Sequence, residues 1–145
     1  MKKTNNKGFS LVELIIVIAI MAILVGVLAP QYIKYVEKSR KSADLDIADG
    51  IYTAVQTALT DADYSIPVGC KVVVTGTGVT ITGDGATAAT NMNQALTDYF
   101  GSNWQNKKFK SKVCGDPANN YTVEVTGTPS TGYKAVGTWV TNPNS

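Results

Sequence analysis

Gly8-Phe9-Ser10-Leu11-Val12-Glu13-Leu14 decides how this 145-residue chain is to be read. Upstream lies a short charged leader, residues 1–8, with lysines at positions 2, 3 and 7. Downstream, the 21 residues from Phe9 to Ala29 are apolar apart from Ser10, Glu13 and Gly26. A helix of that length covers roughly 31 Å, close to the roughly 30 Å hydrocarbon core of a bilayer. A helix is the expected form, because lipid leaves no partner for free backbone polar groups. The β-branched run Ile15–Ile18 favours a strand in water, a preference that lipid overrides.

A secretory signal peptide has a shorter apolar region followed by a small-x-small cleavage site. Here the apolar region is too long, and Ala29-Pro30 fits such a site poorly. The small residue, Gly8, precedes the apolar run, so cleavage after it removes the lysines and retains the helix. Glu13 is the costly element. A carboxylate deep in lipid costs on the order of 2.5–3.5 kcal/mol on insertion scales and marks function by default. One reading lets Glu13 reach water at the interface. The other pairs it with a cation, and cleavage after Gly8 creates one in the α-amine of Phe9, whose ordinary pKa is about 7.7–8.0.

With its cleavage glycine, aromatic residue, acidic residue and retained helix in fixed order, Gly8-Phe9-Ser10-Leu11-Val12-Glu13-Leu14 resembles the processing motif of type IV pilins and their pseudopilin relatives. Pro30, Tyr32 and Tyr35 extend the likeness, which covers about a quarter of the chain. The resemblance implies that a prepilin peptidase cuts after Gly8 and methylates Phe9, and that Glu13 serves assembly. It implies a homopolymer built by pilus assembly machinery, with a precursor in the cytoplasmic membrane and a filament at the surface.

Without the leader lysines, the side chains carry 10 basic and 11 acidic groups, so no strongly basic nucleic-acid protein is implied. The leader lysines favour a cytoplasmic N-terminus. The absence of histidine removes the commonest general base and metal ligand. No nucleophile–base pair or metal constellation is visible, so the expectations are no enzyme activity, no metal and no cofactor. Cys70 and Cys114, 44 positions apart, read as a disulfide in an exported domain. The alternative is two buried free thiols.

The chain divides into a leader (1–8), a membrane or filament-core helix (9–29), an amphipathic continuation of it (30–60) and a globular C-terminal domain (61–145). Pro30 is expected to bend the helix where it leaves the apolar region. Beyond it, Ile33, Val36, Ala43, Ile47, Ile51, Ala54, Val55, Ala58 and Leu59 recur at helical spacing. Lys34, Lys38, Lys41, Asp44, Asp46, Asp49 and Gln56 fall mostly on the opposite face. Strands are expected over 70–75, 79–82, 108–114, 121–126 and 133–140, with a short helix over 91–100 that uses Asn91 as N-cap and Gly101 as terminator. Short connections predict an antiparallel sheet packed on the long helix, an α+β, pilin-like fold.

Within the strand expected at 108–114, Lys108, Lys110 and Lys112 share one side. They read as a solvated face that discourages edge-to-edge pairing. The alternative is a binding stripe for nucleic acid or another acidic surface. Asp61, Asp63, Asp84 and Asp116 match no EF-hand spacing, and Asn120-Tyr121-Thr122 is a glycosylation sequon of low specificity. The leading functional expectation is a type IV pilus subunit. A pseudopilin of a secretion or competence system and a non-polymerising membrane-anchored adhesin are the alternatives.

Overall fold

A computed structural model of the chain describes residues 8–61, 63–83, 86–128 and 130–143. Its elements are α1 (Leu11–Thr60), β1 (Lys71–Val74), β2 (Val79–Thr82), α2 (Ala86–Phe100), a 3₁₀ turn (Trp104–Asn106), β3 (Tyr121–Thr128) and β4 (Gly132–Trp139). The chain forms two compact units, Met1–Val36 and Glu37–Ser145.

In the first unit, every large apolar side chain from Leu11 to Leu28 is 48–73% exposed. The helix runs unbroken through Pro30, which has no N–H to offer the carbonyl of Gly26. Nothing lies within 4 Å of the position a Cβ would take on Gly26.

In the second unit the sheet has the order β2-β1-β3-β4, antiparallel throughout. Register places Val72 opposite Val123 and Val74 opposite Tyr121, so alternate residues of the two central strands enter one core. Ala48, Ile51, Val55 and Ala58 of α1 form a stripe at three- and four-residue steps, and α2 adds Met92, Ala95 and Leu96. Ile51 and Val55 are fully buried, a contribution of about 1.5–3 kcal/mol each. This is the expected α+β arrangement of a long helix on an antiparallel sheet.

On β4, Ala135 is buried and Tyr133 is exposed. Gly137 leaves room for the ring of Tyr121, since a Cβ there would stand 1.9 Å from the Tyr121 hydroxyl. That ring packs against Trp139 at 4.8 Å, and Phe109 stacks on Trp139 at 5.2 Å.

Helix α2 begins five residues earlier than expected, at Ala86. The alanine-rich start favours helix, and Ala88 is buried. Asn91 therefore lies inside α2, where its side chain donates to the Ser65 carbonyl at 2.8 Å instead of capping. Gly101 ends the helix as expected, at φ +79° with its N–H on the Thr97 carbonyl at 2.7 Å.

The strand expected over 108–114 is not formed; this stretch is a loop held by carboxylates of α1. Asp44 Oδ1 and Oδ2 accept the Lys110 N–H at 2.9 and 3.0 Å, and Oδ2 also accepts the Ser111 N–H at 2.7 Å. The Lys112 N–H donates to Glu37 Oε1. Side chains of a helix thus take donors that a neighbouring strand would have taken. Asp44, expected on the solvated face, is 1% exposed, and its charge is tolerable there because backbone donors surround it. Gln56 plays the same part farther along, accepting the Ala135 N–H at 3.1 Å.

The expected Cys70–Cys114 disulfide is also corrected, for both are buried free thiols. Gly76 abuts Gly115, with a Cβ on Gly76 falling 2.3 Å from the Gly115 carbonyl oxygen. Cys114 therefore lies by the turn after β1, whereas Cys70 precedes its first residue. The intervening strand is about 13 Å long at roughly 3.3 Å per residue, beyond the roughly 7 Å limit between bridged Cα atoms. Burial pushes both thiols up from the ordinary 9.0.

Two outcomes follow for the full chain in detergent. Asp44→Ala leaves the Lys110 and Ser111 N–H groups without their acceptor, lowering stability by about 3 kcal/mol in denaturant titrations read by tryptophan fluorescence. Thiol titration finds two protonated thiols that react only on unfolding, with no change in mass on reduction. Because the folded state raises both pKa values, their contribution is full below pH 9 and declines as pH rises through the folded values.

Candidate processing and assembly site

Gly8, Phe9 and Ser10 precede α1 in non-helical conformation, and all three are exposed. Phe9 is 91% exposed, and nothing lies within 4 Å of a Cβ position on Gly8. Among the described residues of its unit, nothing covers the Gly8–Phe9 bond.

Helix α1 starts with the first half of a capping box. The Ser10 carbonyl accepts the Leu14 N–H at 3.2 Å. The Glu13 carboxylate reaches back to accept the Ser10 N–H at 2.8 Å through Oε2. Ser10-x-x-Glu13 is the sequence signature of this arrangement, with Ser10 as N-cap and Glu13 three residues on. Neither expectation for Glu13, reaching water at the interface or pairing with a cation, uses that signature. A carboxylate here also faces the positive end of the helix dipole, worth about 0.3–1 kcal/mol at an exposed site. While Gly8 is attached, the Phe9 nitrogen is an uncharged amide, and the nearest hydrogen-bond partner of Glu13 is this backbone donor.

The other expected site residues lie elsewhere. Pro30 is within the helix of the first unit, and the cysteines remain apart. Lys108, Lys110 and Lys112 are exposed on one loop, while Phe109 and Ser111 between them are buried. The alternation expected for a strand survives there in a loop because Asp44 and Glu37 draw its backbone inward. Sequence periodicity missed both carboxylates, since each is separated from its partner by more than 60 residues.

Residues 3–29 match the family described as the prokaryotic N-terminal methylation motif. A type IV major fimbrial protein FimA of Dichelobacter nodosus is 41% identical over 59 residues, covering 41% of this chain and 38% of the relative. Another protein of that description and organism is 34% identical over 99 residues, covering 68% of this chain and 61% of its own length. A fimbrial protein of Moraxella nonliquefaciens is 43% identical over 52 residues, covering 36% and 34%. The chain thus spans less than two thirds of the length of these relatives. No solved structure matches it significantly. The chain thus carries the prokaryotic N-terminal methylation motif at the start of a long apolar helix, and over part of its length it is similar to type IV fimbrial proteins.

Proposed function

We propose that this protein is the structural subunit of a type IV pilus, cut between Gly8 and Phe9, methylated on Phe9, and polymerised through α1. The observation that carries this reading is the apolar half of α1, whose large side chains the described residues of its own unit leave exposed. Lipid covers such a surface before assembly, and identical helices are the available cover afterwards. Heterologous contacts between identical subunits generate open helical filaments.

Glu13 has a separate part in each stage. In the uncut chain its charge is engaged by the Ser10 N–H. Cleavage of Gly8–Phe9 by the prepilin peptidase supplies an amine one helical turn away, or on a neighbouring subunit offset along the helix axis. Such a charge pair sets register more than it adds stability, because both groups must leave water. Pro30 marks where the helix loses one backbone bond, and a bend there lets the apolar half follow its neighbours. The leader lysines hold the precursor's N-terminus on the cytoplasmic side until the cut. The cut subunit then leaves the membrane for the surface filament.

Substitution at Glu13 separates the two parts. Glu13→Gln keeps an acceptor for the Ser10 N–H and removes the charge; Glu13→Ala removes both. Both variants are expected to insert in the membrane and to reduce sheared filament yield by about tenfold or more, equivalent to at least about 1.4 kcal/mol per assembly step. Mass spectrometry of wild-type filaments is expected to show subunits beginning at methylated Phe9. Normal filaments from Glu13→Gln would refute the charge pair.

A further inference from the structure

The second unit carries opposite charge at its two ends. Near the start of its helical segment lie Arg40, Lys41 and the loop bearing Lys108, Lys110 and Lys112. The only ion pair among the described residues is Lys71–Glu124, at 3.2 Å, so none of these five cations is in one. The nearby carboxylates of Asp44 and Glu37 are occupied by backbone N–H groups.

At the other end, the C-terminal part of α1 and α2 enclose a groove of about 200 Å³. Ala54, Ala58, Ala95 and Tyr99 form its walls, and Asp61 and Asp98 line it as well. The last turn of α1 contains no basic residue, so the negative end of its dipole is uncompensated by a side chain of that turn. Asp98 is fixed in place. It accepts from the Tyr64 hydroxyl and from Gln94 Nε2 at 3.1 Å, and this hydrogen bond pushes the Tyr64 phenol up to about 12. Asp63, beside the groove, is exposed. Apolar walls ending at carboxylates suit a long cationic side chain, whose methylene stem covers the walls while its head meets the charge. The Tyr99 ring, 50% exposed, adds a π-face for the same cation.

We infer that this groove receives lysines of the Lys108–Lys112 loop from a second copy of the chain. Within one copy the contact is out of reach. Asp44, which anchors the loop, and Thr60, at the end of α1, are 16 residues apart on one helix, about 24 Å. No four-carbon side chain bridges that distance. Positive loop to negative groove is a heterologous contact, which propagates from copy to copy and fixes their order through charge complementarity. It rests on the filament reading for its biological use, while its chemistry belongs to the second unit alone.

The test uses an equimolar mixture of isotopically light and heavy full-length chain, concentrated in detergent at low salt. A carbodiimide, which joins lysine amines to carboxylates without a spacer, is applied and the linked peptides are mapped. Mixed-isotope links between Lys108, Lys110 or Lys112 and Asp61, Asp63 or Asp98 are expected, falling at least tenfold in 1 M salt. The exposed double variants Lys110→Glu/Lys112→Glu and Asp61→Lys/Asp63→Lys are each expected to lose the contact while retaining the wild-type melting temperature. Mixing them restores it through the reversed pairs. Absence of these links in the wild type, or failure of the mixture to restore them, overturns the contact. So does a Lys110→Glu/Lys112→Glu chain that self-associates normally but loses retention on duplex DNA, which would assign the loop to a polyanion. Links in a chain that forms no filaments in cells uphold the contact and remove the filament reading; filaments without the links do the reverse.

Discussion

The governing constraint is the apolar surface of α1 from Leu11 to Leu28, which the described residues of its own unit leave exposed. Fourteen large aliphatic or thioether side chains between Leu11 and Leu28 stand about half exposed or more. Completing their burial is worth on the order of 10–20 kcal/mol by surface-area bookkeeping. That exceeds what most single domains retain as net stability, so the covering medium governs where the chain resides. Lipid satisfies the requirement without selectivity. A bundle of identical helices satisfies it with shape and register, which is where a charge near the start of the helix acquires meaning. Hydrophobic cover is non-directional, whereas a carboxylate in an apolar surface distinguishes one axial offset from another.

A second theme recurs along α1: polar side chains of the helix act as acceptors for backbone N–H groups outside its regular hydrogen bonding. Glu13 does so for Ser10, Glu37 for Lys112, Asp44 for Lys110 and Ser111, and Gln56 for Ala135. Irregular chain beside a helix carries donors that must be satisfied, and a carboxylate on the helix serves more than one at once. This is why the 108–112 loop is drawn against α1, and why its lysines are exposed and, among the described residues, in no ion pair. The fixed loop and the unpaired cations have one cause.

The fold was largely legible in the sequence. The apolar run, the three- and four-residue recurrence through Ala58, the Val-rich strands and the Gly101 stop each follow from local periodicity or local backbone preference. The register of β3 and β4 places Tyr121 by Gly137 and Trp139, packing that alternation only partly anticipates, since Tyr133 remains outside. At the start of α1, Ser10-x-x-Glu13 was readable as a capping box, and Glu13 accepts the Ser10 N–H. The burial of Asp44 was not readable, because helical periodicity assigns a charged residue to water unless something is known of what faces it. The cysteines misled for a related reason. Export and domain size argue for a disulfide, but bridging depends on a distance that β1 makes too long.

By itself, the sequence determined the apolar helix, the acid at its start, the glycine before it and the strands behind it. Those features are set by composition and by spacing within a few residues. Only the tertiary structure decided which charges are buried, which thiols meet and which lysines remain unpaired. Those outcomes depend on groups far apart in sequence, 44 residues for the cysteines and 66 for Asp44 and Lys110. They are resolved by packing, because burial fixes which acceptor is near each donor and what an unsatisfied donor costs.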